Sequence, residues 1–114
     1  MAVKRAAALA VIVTAQSISL AMAQTYTAIG PGNDSCGTWM ADRRTPHTQA
    51  ALQDMQWVLG FLSGVGFIGK QDGIDPLNGL DAQAVWAWID NYCRDHPLSL
   101  IASAAAAFKN AHPR

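Results

Sequence analysis

Between Asp81 and Pro97 the chain reads DAQAVWAWIDNYCRDHP, and no other stretch restricts the fold as much. An aspartate ahead of good helix formers is an N-cap, because its carboxylate accepts backbone N–H groups that the first turn leaves without partners. Val85, Trp88, Ile89 and Tyr92 then recur at i, i+3, i+4 and i+7, with Trp86 and Cys93 flanking them. That period belongs to a helix with a wide apolar stripe, which other elements must cover. Asp90, Asn91 and Arg94 are expected to face water. Pro97 ends the helix, since the residue before a proline avoids helical geometry. His96 sits at this junction, where capping or packing outweighs a role as a pH-sensitive group.

Cys93 has one possible partner, Cys36, which is 57 residues away. The start of the chain decides whether they pair. Lys4 and Arg5 precede an apolar run, Ala6 to Ala15, and Ala21-Met22-Ala23 is a small-residue cleavage site. Basic, apolar, small, in that order, is the pattern of a secretory signal peptide, and the apolar run is short for a membrane span. Residues 1–23 are therefore expected to be a signal peptide, 24–32 an extended lead, and 33–114 a single helical domain. In an exported chain a cysteine pair reads as a disulfide. Closing a loop of this length stabilises by about 4 kcal/mol in the chain-entropy model. A domain this small, with a thin core, profits from such a staple. The expected location is the periplasm, with release to the outside as the other option.

The remaining pattern predicts an all-α domain, a small disulfide-stapled bundle of three main helices plus one short N-terminal helix. Asn33 or Asp34 caps the short helix, which runs to Arg43, with Cys36, Trp39 and Met40 on one face. Arg43-Arg44 reads as a solvated corner. Thr45-Pro46 starts the next helix, which runs to about Ile68. Its inner stripe is Leu52, Met55, Leu59 and Leu62, and Gln49, Gln53, Asp54 and Gln56 are placed in water. Gly60, Gly64 and Gly66 each weaken a helix by up to about 1 kcal/mol against alanine. Close approach of another helix is the physical reason to keep them, and Ala104 to Ala107 offers a matching small surface. The last helix begins at Pro97, with Leu98, Ile101 and Phe108 facing inward.

Lys70 to Leu80 is punctuated by Asp72-Gly73, Asp75-Pro76 and Asn78-Gly79, which are turn signals. Asp72, Asp75, Asn78 and Asp81 repeat every third residue. A calcium loop instead needs alternating ligands and a closing glutamate. No metal site, cofactor or catalytic residue is expected. His47, His96 and His112 lack the spacing of a zinc helix, and Ser63 lacks the flanking glycines of a nucleophile elbow. After signal removal six basic residues (Arg43, Arg44, Lys70, Arg94, Lys109, Arg114) face eight aspartates and no glutamate. That balance gives no footprint for nucleic acid or an anionic membrane. What is left is a protein-binding role. The candidate contacts are Asp72, Asp75 and Asn78 of the loop with Trp57 and Trp86, since polar loops and aromatics concentrate at partner surfaces. A homodimer is left open.

The stretch Gly60-Phe-Leu-Ser-Gly-Val65, the Tyr92-Cys93-x-x-His96-Pro97 junction and the alanine-rich helix ending Phe108-x-x-Ala111-His112-Pro113 together resemble the Rap/Tai-type immunity proteins. More loosely they resemble the HdeA-like periplasmic proteins. The likeness covers Trp57 to Pro113. The immunity family often has further cysteines near the central helix and the end, which this chain lacks. The first resemblance implies a small exported helical protein that blocks a cell-wall hydrolase toxin delivered by a type VI secretion system. The second implies an acid-stress chaperone that binds unfolded clients at low pH.

Overall fold

The structure is a computed structural model and describes residues 2–3 and 26–114. Apart from residues 2 and 3, the expected signal segment lies outside the described residues, as do Gln24 and Thr25. Four helices follow one another: α1 (Cys36–Arg43), α2 (Gln49–Gly69), α3 (Ala82–Asp95) and α4 (Ile101–Ala111). A 3-10 turn at Pro31–Asn33 precedes α1, and a second, Lys70–Asp72, prolongs α2. Among the described residues there is no strand, only a lone antiparallel bridge between Ser35 and Leu100. The domain is all-α, and the disulfide joins Cys36 to Cys93 with 4.8 Å between the Cα atoms.

Side-chain oxygens start three of the helices. Ser35 accepts from the Thr38 N–H, Thr48 from Ala51 and Asp81 from Ala84. The cap expected at Asn33 or Asp34 therefore falls one residue later. The start expected at Thr45-Pro46 moves to Thr48, because Thr45 to Thr48 closes into a turn whose Thr48 N–H donates to the Thr45 carbonyl at 3.1 Å. α4 lacks a side-chain cap. Its first N–H, on Ile101, donates to the Asp34 carbonyl at 2.9 Å, while Cys36 N–H donates to the Ser99 carbonyl at 2.7 Å. The starts of α1 and α4 thus satisfy each other's backbone, which a helix beginning at Pro97 would not allow. Leu98, expected inside, lies in this connection and is 94% exposed.

The core is built from Trp39, Val58, Leu62, Val85, Ile89, Ile101 and Phe108 around the bridge. α3 is amphipathic as its spacing requires, but rotated. Val85, Trp86, Ile89 and Cys93 point inward, while Trp88 and Tyr92 lie at the edge. α2 differs more from its pattern. Leu52 is 42% exposed, and Asp54, expected in water, is 3% exposed.

The three glycines do not serve one helix contact. Among the described residues a Cβ at Gly60 or Gly64 would meet nothing within 4 Å, and one at Gly66 would meet Asp75 of the following loop, not a helix. α4 instead lays Ala104 and Ala105 into the same core as Leu62 and Val58 of α2. The close approach is elsewhere. At Gly32 a Cβ would overlap the Trp57 ring, so the lead lies flat on that indole. Trp57 Nε1 donates to the Ile29 carbonyl at 2.9 Å, and Tyr26 stacks on Phe61 with ring centroids 6.1 Å apart. The segment read as an extended lead is thus fastened to α2.

Candidate functional site

The two ends of the bundle differ in how their surfaces are finished. At the α1–α3 end, Asp90 of α3 accepts three hydrogen bonds. Trp39 Nε1 donates at 2.7 Å, and the Arg43 guanidinium donates through Nε at 3.0 Å and Nη2 at 2.9 Å. The Asp90 hydrogen bond and charge hold the Arg43 proton more firmly than usual, against the opposing effect of burial. The guanidinium also lies 5.8 Å from the Trp39 ring centroid and 6.0 Å from that of Trp86. Arg43 is therefore locked to α3 rather than solvated. Trp86 is only 9% exposed, and its Nε1 donates to the Met55 carbonyl at 3.3 Å. It packs into the core and also lines a pocket of about 380 Å³ with Arg43, Leu52 and Gln83. Trp57 is half-buried under the lead.

The other end is open. The second half of α2, the loop after it and the end of α4 leave a groove of about 440 Å³. Phe61, Val65, Ile68 and Gly69 form one wall, Ile74 and Asp72 the loop side, and Ala106, Lys109 and Asn110 the α4 side. The walls are apolar, and an acid, an ammonium and an amide sit on the rim. Beside it Phe67 is 72% and Ile68 81% exposed. Lys70 Nζ stands 4.7 Å from the Phe67 ring centroid. Gly60 and Gly64 lie two turns and one turn back, respectively, on the same exposed face as Phe67, and α2 carries no charged residue except buried Asp54.

The loop itself is braced. Ile74 N–H donates to Gly69 at 3.0 Å, and Asp75 N–H donates to Pro113 at 2.9 Å, tying the tail to the loop. Gly73 and Gly79 take positive φ, 70° and 72°, as the Asp-Gly and Asn-Gly turn signals require. Of the expected contact residues, Asp72 lines the groove, while Asp75 and Asn78 are exposed on the turn beyond it. The structure brings Asp72 together with Phe61, Ile68, Ile74 and Lys109, which the sequence reading had not singled out. One signal was available for them. Phe67 and Ile68 continue α2 past its last buried leucine on the face of Gly60 and Gly64.

Among the described residues no three histidine, cysteine or acidic side chains are placed to hold a metal ion. His96 Nδ1 is 2.8 Å from the Tyr92 carbonyl and its ring stacks on Tyr92 at 4.2 Å, so it closes α3. His112 does the same for α4 against Phe108, at 3.0 Å. Asp54 is the one buried carboxylate, and its Oδ2 finds no hydrogen-bond partner among the described residues. Burial first, then hydrogen bonding to Asp42 and the charges of Asp42 and Asp34, push its carboxyl up to about 7. No helix among the described residues is long and apolar enough to cross a membrane. Compared with family models, curated proteins and solved structures, the chain matches none of them.

Proposed function

We propose that the chain is a non-catalytic, exported protein-binding module, and that its contact face is the open end formed by α2, the loop and α4. The observation that carries this reading is the apolar groove of about 440 Å³ flanked by exposed Phe67 and Ile68. Apolar side chains left in water beside a groove mark contact surfaces, and burial of an aromatic anchor dominates binding at such places. The absence of charge along the exposed face of α2 fits the depletion of charge at interface cores. The bridge supports export, because disulfides persist outside the reducing cytoplasm. The periplasm is the favoured compartment.

The partner that the immunity resemblance suggests is a cell-wall hydrolase toxin, which the module would occlude. The acid-chaperone alternative needs a fold that loosens as pH falls. Asp54 works in the other direction. A carboxyl with a raised folded-state pKa stabilises most below its unfolded value, ordinarily 3.8, and that stability is lost as pH rises through about 7.

The test is to isolate the exported protein with its bound partners from the cell envelope, in parallel with Ile68→Asp. Capture of a peptidoglycan hydrolase by the wild type only, with loss of its activity at equimolar protein, supports the immunity reading. Suppression of aggregation of unrelated proteins at about pH 2–3, with none at pH 7, replaces it with the chaperone. A partner held equally by Ile68→Asp moves the contact face elsewhere.

A further inference from the structure

Asp54 has no evident reason to be a carboxylate. It is 3% exposed, it lies in the first half of a helix otherwise free of charge, and one of its oxygens has no partner among the described residues. A buried, unpaired ionised carboxylate is among the costliest groups a small domain can hold. What faces it makes the charged form worse. Asp42 of α1 is within hydrogen-bonding reach, and Asp34, just ahead of α1, adds a second negative charge. Arg43, the cation at the end of α1, is turned to Asp90 of α3. α4 has one cation, Lys109, and it sits at the groove. The 3-10 turn Pro31–Asn33 has no ionisable side chain. Two carboxylates in contact resolve this by holding a single proton, with the neutral acid donating to its ionised neighbour.

We propose that Asp54 and Asp42 share one proton and form a pH-sensitive latch between α2 and α1, closed while the proton is held and loosened when it leaves. The disulfide keeps α1 on α3 whatever the pH, so the contact that yields is the one between α1 and α2. The step is a simple proton loss to solvent. It leaves two adjacent negative charges, one of them buried. The direction suits a compartment that acidifies: the fold tightens as the surroundings turn acid and slackens toward alkaline pH. This inference does not depend on which partner occupies the open end.

The experiment is urea unfolding of the oxidised protein between pH 4.5 and 8.5, with Asp54→Asn and Asp42→Asn alongside. In the wild type the folded-to-unfolded ratio should fall with rising pH, by up to about tenfold per unit, and level off above neutrality. Asp54→Asn keeps the shape and can still donate to Asp42, so its profile should lose that slope and its stability at pH 8 should exceed that of the wild type. Asp42→Asn should shrink the fall and end it at lower pH, because the facing negative charge that raises the Asp54 carboxyl is gone. The difference between wild type and variant separates this pair from the histidines. If Asp54→Asn does not fold, carbon NMR of the wild-type Asp54 carboxyl decides. Titration near neutrality supports the latch, and titration in the ordinary aspartate range overturns it. An unchanged slope in Asp54→Asn overturns it as well. So would recovery of wild-type stability at pH 8 by millimolar calcium or magnesium, since the pair would then hold a cation rather than a proton.

Discussion

The α1–α3 end and the α2–α4 end are made from the same kinds of residues but finished in opposite ways. At the first, the Trp39 indole N–H, the Arg43 guanidinium and the Asp90 carboxylate satisfy one another. Asp90 accepts from both Trp39 and Arg43, the guanidinium covers two indoles, and a disulfide crosses beneath. At the second, Phe67 and Ile68 stand in water beside a groove that no side chain among the described residues fills. A small domain has little stability to spare. Concentrating covalent and ionic restraint at one end lets the other keep apolar surface exposed without the fold collapsing onto it.

The contrast can be broken first at the staple. Replacing both cysteines, Cys36→Ala with Cys93→Ala, should lower stability by about 4 kcal/mol, read as a shift in the urea midpoint of the oxidised wild type. A much smaller loss would mean that the closed end is held by packing alone. Asp90→Ala is expected to cost about 2 kcal/mol. It leaves the Trp39 N–H and the Arg43 guanidinium without their acceptor, at a site where the pair is partly solvated. The same unfolding measurement checks it, and Arg43→Ala in the Asp90→Ala background should add little, since the two act as one unit.

At the open end the expected effects change sign or vanish. Gly60→Ala and Gly64→Ala should each stabilise by roughly 0.5–1 kcal/mol, because both sit in an exposed helix interior with room for a methyl group. Destabilisation by either would show that something packs against that face. Ile68→Asp should leave stability within about 0.5 kcal/mol of the wild type, as expected for a side chain 81% exposed. A loss of several kcal/mol would place Ile68 in the core instead.

What the sequence made legible follows the same division. α3 could be read because a cap, an apolar period and a proline agree on its face and its limits, and the bridge followed from a single cysteine pair. α2 could not be oriented the same way. Its second half is apolar around most of its circumference, so Leu62 and Phe67 look equally suited to the interior, and only the packing of α4 decides between them. Asp54 sits among glutamines, and nothing local marks it as buried. The glycines pointed to a close contact, but the one that exists uses Gly32, where backbone rather than helix meets Trp57. The start of α4 was misread because Pro97 is a fair first-turn residue. Backbone pairing of Ser99 with Cys36 takes precedence there, and that pairing joins segments far apart in the chain.

The sharpest test of the division is photo-crosslinking in the cell envelope, with the reactive side chain placed at Ile68 in one variant and at Arg44 in another. The expected result is a discrete adduct from position 68, containing a peptidoglycan hydrolase, and none from position 44. An adduct from position 44 alone, or equal adducts from both, would contradict the assignment of a closed end and a binding end.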